Sequence, residues 1–315
     1  MKVKKHIVIY IGSALLLNAC NTTPKVTPVV DSSFADVRKT FVTKLTKQTG
    51  SKGPVEMPPE TLYSVVQYPT SIGNMAAYLS VVPGDGKLHP AMIWITGGFG
   101  NDIGNVWSEE DADNDQSAAV IRDAGIVMMY PSQRGGNENA GSDETCFGEI
   151  DDILAAAGFL AKQKGIDPNR IYLGGHSTGG TKVLLAAECS DRFRAVFSFG
   201  PVTSVVDYGE EYMTFDTKNK REAEMRAPIN WLRFIKTPVF VFEGGSQSSN
   251  IASLKEMEEK AKVEGNTYTH FYEVPGKNHF SALQPASKII AAKIMQDDKG
   301  GAVNMDFTAE MKAIP

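Results

Sequence analysis

The chain has 315 residues with 32 Lys+Arg against 37 Asp+Glu, a net charge of −5, and it is 42% apolar and 22% charged. That balance excludes a disordered chain, a collagen-like repeat and a multi-span membrane protein, and it lacks the basic surface that nucleic-acid binding requires. Three cysteines, Cys20, Cys146 and Cys189, are too few for a disulfide scaffold or a four-cysteine zinc site.

The first elements do not belong to a fold. Residues 1–5 carry three lysines and residues 6–17 are an apolar run of 12, short of the roughly 20 that a spanning helix needs, which reads as a secretory signal peptide. The run ends in Leu17-Asn18-Ala19-Cys20, which resembles the bacterial lipoprotein signal. That resemblance implies cleavage before Cys20 and lipid on its thiol, a mature chain of residues 20–315 tied to a membrane but not spanning it, and, with Asn21 next, sorting to the outer membrane of the cell envelope. Residues 20–33, rich in Thr, Pro and Ser, read as a flexible tether.

From Phe34 an apolar period begins. Phe34, Val37, Phe41, Val42 and Leu45 share one helical face, and Ser33 with Asp36 resembles a capping box. Two β-like runs follow at 62–68 and 75–82. Continuous apolar runs at 91–95, 125–130, 170–173, 195–199 and 238–242, with an alternating run at 268–274 closing the series, then alternate with helical patterns, the clearest being Ile150, Ile153, Leu154, Ala157 and Ala161. The alternation predicts an α/β fold with a mainly parallel sheet, helices on both faces and the site at the carboxyl ends of the strands. The long connection 202–237 predicts a small cap; its Tyr208, Tyr212, Phe215 and Trp231 could line a pocket or simply pack on the sheet.

The sharpest motif is Gly175-His176-Ser177-Thr178-Gly179-Gly180, between a strand run and a helix pattern. There the small residues permit a strained turn that presents the Ser177 hydroxyl, and the helix N-terminus favours negative charge beside it. Five histidines allow elimination of a base. His6 leaves with the signal, His89 precedes a strand on the far side, and His270 lies in an alternating run. His176 adjoins the nucleophile, with its ring expected to point elsewhere. His279, in a loop after the last strand, fits the order serine, acid, histidine. Oxyanion donors are expected at the N–H of Thr178 and in Thr96-Gly97-Gly98-Phe99-Gly100, at Gly98 first and Phe99 second.

These segments, with Tyr130-Pro131-Ser132-Gln133-Arg134-Gly135-Gly136, Asp167-Pro168-Asn169-Arg170-Ile171 and Gly276-Lys277-Asn278-His279, are similar to the α/β-hydrolase superfamily. The likeness is greatest to single-domain relatives of the prolyl-oligopeptidase catalytic domain and the dienelactone hydrolases. It implies an α/β-hydrolase domain over residues 34–315 and hydrolysis through an acyl-enzyme on Ser177, with Arg134 fixing a loop. The resemblance departs at the acid, because Gln247 stands where an Asp is usual. Glu243, at the strand end, is the first candidate and Asp207 the second; a strand-end carboxylate satisfied by the following helix is nearly as good a reading of Glu243.

The segment Asp111-Ala112-Asp113-Asn114-Asp115 opens like a calcium loop but has Gln116 at the glycine position and Arg122 at the bidentate-glutamate position. No cofactor or metal motif is present. Cys146 and Cys189 are expected to be free. The expected function is an envelope-anchored serine hydrolase taking a small-molecule ester or peptide. An ester is favoured because no gating propeller is in sight and esters need less leaving-group activation. The rival is a non-catalytic envelope lipoprotein that keeps the fold as a binding module, supported by Gln247.

Overall fold

A computed structural model describes residues 32–49, 53–246, 248–297 and 300–315. The signal segment, Cys20, the tether as far as residue 31, and Gln247 lie outside the described residues. Within the unit Ser33–Pro315 the elements run α1 Phe34–Thr40, β1 Tyr63–Thr70, β2 Gly73–Ser80, β3 His89–Ile95, α2 Ala119–Asp123, β4 Val127–Pro131, α3 Glu149–Leu160, β5 Ile166–His176, α4 Thr178–Cys189, β6 Val196–Phe199, α5 Lys220–Glu224, β7 Val239–Gly244, α6 Ile251–Val263, β8 Thr269–Val274, α7 Leu283–Gln296 and α8 Thr308–Ala313.

The eight strands form one sheet in the order β1-β2-β4-β3-β5-β6-β7-β8. β1, β2 and β4 pair antiparallel, and every pair from β4 to β8 across the sheet is parallel. Strand alternation divides the core by side-chain type. Ala91, Ile93, Ile171, Leu173, Val239 and Val241 face the layer of α1, α3, α4 and α6, whereas Trp94, Tyr172, Phe197, Phe240 and Phe242 face α2, α7 and α8. Both faces are covered, so the strands read as continuous apolar runs. The chain leaves β3 to one side for β4 and returns on the other for β5, which makes the carboxyl ends of β3 and β5 the switch point where α/β sheets hold ligands.

Two expectations are corrected. The helix that begins at Phe34, with Ser33 capping the Asp36 N–H at 3.1 Å, stops at Thr40 rather than running on to Leu45. The Thr43 hydroxyl and the Lys44 N–H both bond the Glu222 carboxylate, at 2.8 and 2.7 Å, which holds the chain extended and leaves Val42 86% exposed. In the long connection after β6, Phe215 and Trp231 are core residues, with Trp231 stacked on Phe34 at 4.7 Å. Of the four aromatics singled out there, only Tyr208 and Tyr212 reach the switch point, where they line a cavity with Gly98 and Thr178.

Candidate active site

Ser177 sits between β5 and α4 with φ 57° and ψ −117°, a conformation that costs a non-glycine residue about 1–3 kcal/mol and persists only where its surroundings fix it. Its N–H donates to the Phe199 carbonyl at 2.8 Å and its carbonyl accepts from the Thr181 N–H at 2.9 Å. Gly179 lets the elbow close on β3, since a methyl there would strike the Ile95 carbonyl. As the first residue of α4, Thr178 has an N–H with no partner inside the helix. Its hydroxyl donates to the Gly98 carbonyl at 2.6 Å, which ties the glycine loop after β3 to the first turn of α4. Gly98 itself has φ +100°.

His279 follows β8 in a turn organised by Asn278, whose side-chain oxygen accepts the N–H groups of Phe280 and Ser281, both at 2.9 Å. Its Nδ1 lies 2.9 Å from Oε2 of Glu243, the fifth residue of β7, whose side chain is almost wholly buried. The same carboxylate accepts the Gly244 N–H at 2.6 Å and the Asn250 N–H at the start of α6 at 3.0 Å. Both readings of Glu243 therefore hold at once: it meets the helix start and it meets His279. Gly200, with φ +59°, leaves the space that the His279 ring and the Glu243 carboxylate occupy. Phe199 holds the Ser177 N–H and Gly200 borders the His279 ring, so both residues lie at the carboxyl end of β6.

Asp207 does not join them. It is exposed and caps its own turn, accepting from the Thr203 hydroxyl at 2.7 Å and the Ser204 N–H at 3.1 Å. His176, expected to point away, packs instead against His279 with ring centroids 4.5 Å apart. The elbow turns residue 176 towards the loop after β8, a tertiary consequence that strand alternation alone does not reveal.

Tyr208 was singled out only as a possible pocket residue. Its hydroxyl is 2.8 Å from the Thr181 hydroxyl, while burial pushes the phenol pKa up. Beside it, Phe99 and Tyr212 stack with centroids 3.7 Å apart and nearly parallel planes. With Gly98, Thr178 and Lys182 these rings enclose a cavity of about 20 Å³. A larger cavity of about 670 Å³ lies at the amino ends of β6, β7 and β8, near Arg192, Pro238 and Tyr268, and contains none of these groups.

Beneath the site a buried polar layer fixes the loops. Arg134 grips Asp152 through two bonds of 2.9 Å and Glu144 through one of 2.6 Å, a loop-fixing arrangement. Lys182 donates to Asn101 at 2.7 Å and Gln133 at 2.9 Å. Gln116, which breaks the calcium-loop pattern, accepts the Trp94 ring N–H at its carbonyl at 2.9 Å. Cys146 and Cys189 are free, and burial pushes each thiol up to about 12, so both stay protonated at neutral pH. Among the described residues no group of three or more His, Cys, Asp or Glu is arranged to hold a metal, and no helix is long and apolar enough to cross a membrane.

The prolyl oligopeptidase family profile matches residues 112–296. No curated protein matches the chain. Among solved structures the fold is similar to Porphyromonas gingivalis dipeptidyl peptidase 4 (TM-score 0.58, 19% identity, 75% of this chain and 35% of that one). It is also similar to a puromycin-hydrolysing peptidase of Mycobacterium tuberculosis (TM-score 0.60, 16% identity, 80% and 42%) and an esterase of Pyrobaculum calidifontis (TM-score 0.56, 19% identity, 78% and 88%). The chain thus spans less than half the length of the two peptidases and most of that of the esterase.

Proposed function

The chain belongs to the prolyl oligopeptidase family, and from that membership and the site geometry we propose that it is a serine hydrolase that cleaves a carboxylic ester, or an amide or peptide of similar size, through an acyl-enzyme. The observation that carries this reading is the 2.9 Å contact of His279 Nδ1 with Glu243. A carboxylate can only accept, so Nδ1 holds the proton and Nε2 offers its lone pair. In this mechanism Ser177 Oγ attacks the carbonyl carbon as His279 Nε2 removes its proton. The resulting imidazolium is stabilised by Glu243, and the developing oxyanion is held by the N–H groups of Thr178 and Gly98. Collapse of the intermediate returns the proton to the leaving alcohol, and water repeats the sequence to release the acid.

Ester cleavage is favoured over peptide cleavage because an alkoxide leaves with less help from the acid than an amine does. The rival reading, a non-catalytic binding module, leaned on Gln247 at the usual acid position, and the contact of Glu243 with His279 removes that support.

The proposal extends to location. Leu17-Asn18-Ala19-Cys20 supports lipidation of Cys20 and anchoring at the bacterial outer membrane. Labelling with radioactive palmitate tests it: Cys20→Ala should lose the label and leave the membrane fraction.

Activity is tested with a fluorophosphonate probe and p-nitrophenyl acetate. The unmutated protein should be labelled and Ser177→Ala should not; an unlabelled wild type at neutral pH overturns the hydrolase reading.

A further inference from the structure

His176 ends β5, immediately precedes Ser177 and is wholly buried. Its Nε2 lies 3.0 Å from the backbone carbonyl oxygen of His279. A carbonyl only accepts, so Nε2 carries a proton and donates; the tautomer follows from this network. Nδ1 lies 3.2 Å from Oε1 of the Gln116 side-chain amide, and an unprotonated Nδ1 requires that amide to present its NH₂ group there instead. The His279 ring lies against one side of His176, and the Phe280 edge closes on both imidazoles at 5.5 and 5.0 Å.

Two further ties hold His279: Glu243 at Nδ1, and a long contact of 3.4 Å from its amide to the Ser248 carbonyl. Glu243 orients the ring but does not fix the backbone that carries it. The contact from His176 does, and it comes from the residue bonded to the nucleophile. The base loop and the elbow are thereby joined across the sheet by one buried hydrogen bond and a pair of packed rings.

We propose that His176 is a positioning residue that couples the Ser177 elbow to the His279 loop by donating Nε2–H to the His279 carbonyl. This inference rests on the hydrolase reading of the site. Displacing a reacting group by about 1 Å can cost on the order of a hundredfold in rate, so a hydrogen bond that holds the base loop acts on kcat. Burial, together with the neighbouring His279, lowers the pKa of His176 to about 3, so at neutral pH it is an uncharged donor and places no positive charge beside the base.

Two variants separate the donor from the ring. His176→Phe keeps a ring and loses the N–H; His176→Gln loses the ring and places an N–H near the position of Nε2. With p-nitrophenyl acetate, His176→Phe should lower kcat about tenfold with KM within about twofold and an unchanged thermal midpoint, while His176→Gln should stay within about threefold of wild type. His176→Met is the second donor-less variant, read in the same way if the Phe variant does not fold. A donor-less variant with wild-type kcat, or a Gln variant as impaired as the Phe variant, overturns the proposal while the hydrolase reading stands. Failure of the unmutated protein to react with the fluorophosphonate overturns both.

Discussion

Glu243 reaches His279 from the end of β7, and its carboxylate accepts the His279 ring and two backbone N–H groups in a pocket closed to solvent. The additional methylene of Glu relative to Asp lets a strand residue reach the ring that a residue of the following loop would otherwise have to reach. The backbone donors fix the carboxylate, so in the proposed mechanism holding it in the transition state would cost little.

Replacing that carboxylate with an isosteric amide removes the charge that stabilises the imidazolium and can select the wrong tautomer. Glu243→Gln should lower kcat by about 10²- to 10⁴-fold, in line with losses of orienting carboxylates elsewhere. Asp207→Asn, whose side chain only caps its own turn, should stay within about twofold of wild type. Steady-state hydrolysis of p-nitrophenyl acetate by both variants checks this; a loss of less than about tenfold in Glu243→Gln would remove Glu243 from the catalytic group.

Glu188 on α4 presents a second, unrelated carboxyl problem. It is buried, and neither of its oxygens has a hydrogen-bond partner among the described residues. Desolvation first, and then the nearby charge of Glu264, raise its pKa well above that of an ordinary glutamate. The folded state therefore holds this proton more tightly than the unfolded state. The stability contributed is fully present below the unfolded pKa of about 4.3 and is lost progressively as pH rises towards the folded value. Glu188→Gln removes the titration, so its unfolding midpoint should gain on wild type as pH rises from 4 to 8. Denaturant melts at the two ends check this; a difference independent of pH would show that Glu188 does not titrate in this interval.

The sheet was legible because its strands are buried on both faces: the runs around Ala91–Ile95 and Val239–Phe242 are apolar without a break and have few other ways to fold. Ser177 was legible because its elbow needs small residues on both sides, as the contact that a methyl on Gly179 would make with Ile95 demonstrates. The acid was only half legible. Whether Glu243, Asp207 or residue 247 serves His279 depends on how far β7 runs before α6 begins, and chain order does not give that distance. The end of α1 was misread because Glu222, 179 residues from Thr43, draws the chain into an extended course. The role of His176 was missed for the same kind of reason, since its partner His279 lies 103 residues away.

The stacked rings of Phe99 and Tyr212 lie over a small cavity lined by Thr178 and Tyr208, next to the Ser177 elbow, and in the proposed reaction this cavity would receive the acyl group. The two residues are 44% and 45% exposed, so the stack covers the cavity like a roof, and the roughly 20 Å³ beneath it holds little more than a water molecule or a methyl group. If the acyl group enters this cavity, an acetyl ester fits and longer chains collide with the stack. Burying each added methylene is worth about 0.8 kcal/mol, or roughly fourfold in binding, once there is space for it. Tyr212→Ala removes one ring of the stack without touching Ser177, His279 or Glu243. Across p-nitrophenyl acetate, butyrate and hexanoate, kcat/KM of the unmutated protein should fall with chain length. In Tyr212→Ala it should rise from acetate to butyrate by about fourfold or more. Parallel profiles for the two proteins would place the acyl group elsewhere and leave the aromatic stack without a part in substrate selection.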